Sequence, residues 1–233
     1  MKKLISILIT GSFIAVILVR TVFATTLEVN YNINNLMENI LEESLKNTEI
    51  PMSSNPYTYI ENNKYYDAIV EIGPKAVPII IKDIKNSENN GLREYILAIA
   101  VEEIAQVDLK KVNNAISINY SKTWSNAKTF AEKWTQHLHS IPNEVNNITQ
   151  DSTKTDEEKI NELVDLGTPA IPYILDKIQE GNTSISPSLY ELLKDNKDIQ
   201  IFNSLQPSID YNDIDNFNLS EYEIFRDMVE KEQ

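Results

Sequence analysis

Four tyrosines lie within residues 57–66 of this chain, and its two tryptophans lie further along the sequence. Rings offer large contact area at low entropy cost, so an exposed cluster could line a groove for a peptide or glycan. More often such rings are core residues between helices. Tyr57 and Tyr59 precede the first periodic helix and are expected to be the most exposed; with Tyr65 they are the candidate binding residues. The aromatic residues considered for such a groove are Tyr57, Tyr59, Tyr65, Tyr66, Trp124 and Trp134.

A carboxylate pair and the only two histidines are further candidates for chemistry. Glu102 and Glu103 follow an apolar run, where burial can perturb a carboxyl pKa. Adjacent helical residues diverge in direction and no partner is identifiable, so we interpret the pair as a polar helix end. His137 and His139 would point to nearly opposite faces of a helix or strand, so they cannot chelate one metal. We expect both histidines to be solvated.

An acidic segment partly matches a calcium-binding loop. Position 5 of the loop is an isoleucine, and position 6 is an aspartate where the turn requires glycine. We therefore interpret the segment as an acidic loop that caps the last helix. The loop positions 1, 3, 5, 6, 8 and 12 would be Asp210, Asn212, Ile214, Asp215, Phe217 and Glu221.

Other signatures of catalysis are missing from the sequence. The chain has no cysteine, which excludes a disulfide, a thiolate metal site and a cysteine nucleophile. It has no Gly-x-Ser-x-Gly elbow and only five glycines, so a phosphate-cradling loop is also absent. We predict a non-enzymatic protein without metal or cofactor. A cryptic enzyme that acts through acidic residues stays as an alternative.

The elements that must position these residues centre on an internal repeat. Residues 72–84 and 166–178 align without a gap at an offset of 94 residues. In each copy a glycine should end one helix in a left-handed conformation, and a proline should begin the next. The second helix of each copy carries an apolar stripe with i, i+3, i+4, i+7 spacing. The stripes are Val77, Ile80, Ile81 and Ile84, and Ile171, Ile174, Leu175 and Ile178.

More helices are expected on either side of each copy. Asn32–Leu45 should bury one face, and residues 92–101 are apolar nearly all round, which predicts a central helix. Thr155 followed by Glu158 resembles a capping box, and a last helix should start at Ser220. The expected face of the first helix is Leu36, Ile40, Leu41 and Leu45; the stripe between the copies is Trp124, Ala127, Ala131, Trp134 and Leu138, widened by Phe130.

The Gly-x-x-Ala-x-Pro pattern of the two copies resembles HEAT-type repeats, and the chain looks like the secreted HEAT-like proteins of Gram-positive bacteria. The resemblance implies an all-α fold, a short array of antiparallel helical hairpins of HEAT/armadillo type. It implies protein or peptide binding on a curved surface and carries over no catalytic residue. Because HEAT units are about 40–47 residues long, the offset implies a degenerate unit at about 92–140.

The N-terminus is typical of an export signal. Lys2 and Lys3 precede an apolar stretch from Leu4 to Val19, and Ala24 is the expected cleavage position, with an uncleaved membrane anchor as the alternative. Cleavage would remove three of the 21 basic residues and no acid, leaving 18 against 35 acidic residues, a net charge of −17. Such a surface repels phosphate, so nucleic-acid binding is not expected.

These observations predict an organisation and a role. Residues 1–24 would be the signal peptide, 25–142 a first HEAT-like unit with an N-terminal helix and a degenerate second unit, 143–154 a linker, and 155–233 a second HEAT-like unit with a C-terminal helix. The expected role is a secreted or envelope-attached module that binds an extracellular or envelope protein or peptide. The alternative is a glycan-associated accessory module with an aromatic groove. Membrane contact is expected only through an uncleaved N-terminal segment.

Overall fold

The computed structural model describes residues 2–46, 54–110, 124–194 and 219–231, with side chains from residue 23 onward. All regular elements in these ranges are helical, as expected for an all-α chain, and none is a strand. The helices are α1 Lys2–Lys46, α2 Lys64–Glu71, α3 Val77–Asn86, α4 Leu92–Ala105, α5 Ala127–Gln150, α6 Asp156–Asp165, α7 Ile171–Gln179, α8 Ser186–Leu193 and α9 Glu223–Lys231. Short 3-10 turns, Pro56–Tyr59, Gly73–Ala76, Thr168–Ala170, Thr183–Ile185 and Leu219–Glu221, adjoin them.

The two copies of the repeat fold alike. Gly73 and Gly167 follow the ends of α2 and α6 with φ of 70° and 76°, the left-handed conformation predicted for them. A 3-10 turn then leads directly into α3 or α7, each with a proline in its first turn. Each copy therefore consists of two short helices joined by a 3-10 turn.

Helix α5 holds the two copies together. It packs against α3 and α4 on one side and against α6, α7 and α9 on the other. Its buried stripe contains the predicted residues Ala127, Phe130, Ala131, Trp134 and Leu138. The stripe continues through Val145 and Ile148, so the segment 143–154, expected to be a linker, is helical as far as Gln150. Burial of those two side chains stabilises the helical conformation of this segment.

Helix ends are satisfied by side chains, as backbone groups at a terminus require. The predicted capping box at the start of α6 is present: the Thr155 hydroxyl accepts from the Glu158 N–H, and the Glu158 carboxylate accepts from the Thr155 N–H. The Lys128 ammonium, from α5, donates to the carbonyls of Ile84, Lys85 and Ser87 at the end of α3. That contact ties α5 to the first copy.

The first helix buries a different face from the one predicted. Leu36 and Ile40 are in the core, but Leu41 and Leu45 are 60% and 79% exposed. The reason is that α1 begins before Asn32, and its contacts with α2 and α3 fix a face that also includes Val29 and Ile33. Within the part of the chain that the structure describes, no helix is long and apolar enough to cross a membrane.

Candidate functional site

The Pro56–Tyr59 turn contains the candidate residues Tyr57 and Tyr59 and places them beside the helical core. The Asn55 side chain caps the turn by accepting from the Tyr57 N–H at 3.1 Å. The turn packs against α4, and Tyr57 is 49% exposed. The expectation that Tyr57 would be accessible is consistent with this position, whereas Tyr59 and Tyr65 are half-buried.

Beside Tyr57, the ammonium of Lys110 is surrounded by aromatic rings. Its Nζ lies 4.2 Å from the ring centroid of Trp124, 5.7 Å from that of Tyr57 and 5.8 Å from that of Tyr95. It also donates to the Tyr57 hydroxyl at 3.3 Å. A cation within about 6 Å of a ring centroid is attracted by the ring quadrupole. We call the four residues that face the ammonium, Tyr57, Tyr95, Glu102 and Trp124, the cage.

The carboxylate of Glu102 forms the polar wall of the cage. Its Oε1 accepts from Trp124 Nε1 at 2.7 Å and from the Leu109 N–H at 3.0 Å, and its Oε2 lies 3.5 Å from Lys110 Nζ. Burial raises the pKa of Glu102, against the opposing effects of Trp124 and Lys110. Burial by itself lowers the pKa of Lys110, but the combined effects of Glu102, Tyr57 and Tyr95 outweigh it, so the net shift of the pKa is upward and the lysine stays charged.

The cage is continuous with the aromatic core. The rings of Tyr95 and Trp124 lie 4.5 Å apart, and Trp124 meets Phe130 edge to face at 5.3 Å. Phe130 in turn stacks on the buried Trp134. Close-packed rings hold one another in place. The inner wall of the cage is therefore fixed by α4 and α5, while Tyr57 supplies a wall at the surface.

Tyr59 faces a separate groove between α1 and the chain that leads into α2. The groove has a volume of about 330 Å³. Its lining contains amides and two carboxylates, and Asn63 Nδ2 donates to Asn39 Oδ1 at 2.9 Å across it. The lining residues are Asn39, Ile40, Glu43, Thr58, Tyr59, Glu61, Asn62 and Asn63.

The candidate tyrosines therefore do not share one surface. Tyr57 belongs to the cage, Tyr59 lines the groove, and Tyr65 lies beneath the ammonium of its neighbour Lys64, 4.8 Å from its ring centroid. Tyr66 is in the core and donates its hydroxyl to Glu103 at 2.6 Å. Hydrogen bonding to Glu103 adds to burial in raising the pKa of Tyr66 far above its ordinary value.

Two predictions about charged and titratable residues are wrong. Glu102, interpreted as part of a polar helix end without a partner, is 9% exposed and accepts a hydrogen bond from Trp124. His137 is not a solvated residue at a helix end: it lies within α5, half-buried against Trp134, and its Nε2 is 3.0 Å from the Leu166 carbonyl. Burial lowers the pKa of His137. Each error involves one partner that is distant in sequence, Trp124 for Glu102 and Leu166 for His137.

Sequence reasoning missed two members of this site. Lys110 follows α4, outside any periodic pattern, and Tyr95 looked like one more apolar residue of the central helix. The usable signal was Glu102, because a carboxylate one turn from the end of a helix buried on all sides needs a partner. The acidic segment that partly matches a calcium-binding loop lies outside the described residues as far as position 218. Within the described ranges, no group of three acidic, histidine or cysteine side chains could hold a metal.

Comparisons with protein-family models, with curated proteins and with solved structures found no match to this chain.

Proposed function

We propose that this chain is an exported, non-enzymatic module of HEAT-like stacked hairpins that binds a protein or peptide. Support for the stacking comes from the matched hairpins of the two copies, each with a left-handed glycine and a proline-started second helix. A hairpin of this size cannot bury its own apolar face and must pack on neighbours. Helix α5, lying against both copies, supplies such a neighbour.

The observation that carries the binding proposal is the groove beside Tyr59. Three side-chain amides line it. Those of Asn39 and Asn63 are hydrogen-bonded to each other, and an amide such as that of Asn62 can pair with both the N–H and the C=O groups of an extended peptide. The carboxylates of Glu43 and Glu61 add negative charge on a chain whose formal net charge is −14. A groove with these groups suits a peptide that carries a lysine or arginine.

The arrangement of the tyrosines favours a peptide over a glycan. A sugar platform would need several exposed rings on one surface, and Tyr57, Tyr59 and Tyr65 face three different surroundings. We therefore prefer peptide binding in the groove to the glycan-associated role.

A peptide library panned on the full chain tests this proposal. We expect enrichment of peptides with a basic residue, and at least about tenfold weaker binding to a Tyr59→Ala/Glu61→Gln variant, as for loss of a central tyrosine contact. Tyr190→Ala, which removes a 38% exposed tyrosine from α8, is the matched control and should bind normally. Absence of enrichment, or equal binding by the groove variant, would refute peptide binding at this site.

A further inference from the structure

The cage surrounds a cation more completely than any other aromatic contact in the described ranges. Lys110 lies within 6 Å of three ring centroids and close to a carboxylate. The other cations that lie over rings in those ranges, Lys64 and Arg226, each face a single ring. Three rings and one buried carboxylate are the chemistry that recognises alkylated ammonium groups.

Lys110 does not use the hydrogen-bonding capacity of an ammonium fully in this position. Its Nζ is 3.5 Å from Glu102 Oε2, beyond the 2.7–2.9 Å typical of a lysine–carboxylate hydrogen bond. The rings of Tyr95 and Trp124 contact the ammonium only through their faces, whereas Tyr57 also accepts a hydrogen bond through its hydroxyl. A primary ammonium is a strongly hydrated charge with three donors, whereas an alkylated ammonium has few or no donors to satisfy. The cage therefore suits an alkylated cation better than it suits its present occupant.

The Lys110 side chain can move out of the cage without any rearrangement of the core. The Lys110 side chain is 29% exposed, and Tyr57, the outer wall, is on the surface. The inner walls, Tyr95 and Trp124, are held by α4, by Phe130 and by the hydrogen bond from Trp124 to Glu102. Rotation of one lysine side chain would open a preformed site.

We propose that the cage is a binding site for a quaternary ammonium group, which displaces the Lys110 side chain. The site is distinct from the groove beside Tyr59 and does not depend on peptide binding there. The negative charge of the chain disfavours a ligand with a phosphate next to the ammonium. A trimethylated lysine side chain fits these requirements better than a phosphocholine headgroup.

Tetramethylammonium is the probe, and saturation-transfer NMR on its methyl signal gives its Kd for the full chain. Lys110→Ser removes the internal competitor, so we expect at least about tenfold tighter binding than in the wild type. Adding Tyr57→Leu to that variant should abolish the gain, because it removes the exposed ring without touching the core. Lys64→Ser, which frees a single ring, is the matched control and should bind as the wild type does.

Two results would overturn the proposal. Lys110→Ser could bind the probe no more tightly than the wild type, or Tyr57→Leu could leave the gain intact. If Lys110→Ser does not fold, Lys110→Gln keeps most of the side-chain stem and supplies the same comparison. A Tyr59→Ala variant should bind the probe normally, so failure of the groove and failure of the cage are separate results.

The Lys110→Ser variant also distinguishes the sources of the ammonium group. We expect a peptide with trimethyllysine to compete with tetramethylammonium at lower concentration than phosphocholine does. The reverse order would overturn the assignment to a side chain.

Discussion

The two copies of the repeat have the same local design but different surroundings. In the first copy the whole stripe of α3 is buried, because α1, α4 and α5 all pack near it. In the second copy Ile171 and Ile174 are fully buried, but Leu175 and Ile178 are only partly covered. The shared sequence therefore determines the two helices and the turn between them, and the neighbouring helices determine how much of the apolar stripe is buried.

The equivalent glycines differ in the same way. Nothing lies within 4 Å of the position that a Cβ would take at Gly73. At Gly167 a Cβ would overlap the side chain of Val107 and the carbonyl oxygen of Ala105, at the end of α4. One glycine is needed only for its backbone conformation, and the other is needed for close packing as well.

The largest expected effect tests what the copies share. Ile80 and Ile174 are equivalent and both 0% exposed. Replacing either with alanine should lower the free energy of unfolding by about 2–5 kcal/mol, through lost burial and the cavity that remains. Urea denaturation followed by circular dichroism measures this. Near-zero effects at both positions would refute the common stripe.

The next effect tests what the copies do not share. Gly73→Ala should cost about 1–2 kcal/mol, the strain of a left-handed residue that has a Cβ. Gly167→Ala should cost about 1–3 kcal/mol more, because the new methyl overlaps its neighbours. The same denaturation experiment compares them, and equal losses would contradict the asymmetric packing.

The smallest effect concerns acid and the start of α4. Burial alone raises the pKa of Glu94, but hydrogen bonds from the Gly91 N–H, the Ser87 hydroxyl and Arg93 outweigh it and lower the pKa. A depressed pKa in the folded state contributes stability above the ordinary value of 4.5, and that stability is lost as the pH falls toward the folded value.

Glu94→Gln should therefore be less stable than the wild type at neutral pH, by about 1–2 kcal/mol, and the gap should narrow below about pH 4.5. Unfolding free energies at several pH values measure the gap. Glu88→Gln, at an exposed position just before the same helix, is the control. A gap that does not change with pH would exclude Glu94 as the titrating group.

What could be predicted from the sequence is local. Gly73, Gly167 and the Thr155–Glu158 box are confirmed because a cap depends on residues a few positions apart. The stripe of α3 is confirmed because its period is set by the helix itself. The buried face of α1 was wrong at Leu41 and Leu45, since a helix with apolar residues on two sides needs its partners to choose between them.

The cage could not be predicted because its four residues come from three separate segments: the Pro56–Tyr59 turn, α4 and the residues before α5. Tyr57 and Trp124 are far apart in sequence, and neither position shows a pattern that points to the other. Glu102 was recognised as unusual, but its partners Trp124 and Lys110 meet it only after α4 and α5 pack. The hydrophobic periodicity of the sequence predicts the helices, but it does not predict the contacts between them.

The close contact between Gly167 and the end of α4 also shows which parts of the chain depend on each other. Gly167 packs against Ala105 and Val107, on either side of Gln106. Gln106 ends α4 in a left-handed conformation with a φ of 52°. If residues 166–178 were moved alone, they would carry the glycine but not the helix end that receives it. The end of α4 and the turn at Gly167 therefore form one packing unit, although α5 and α6 lie between them in the sequence.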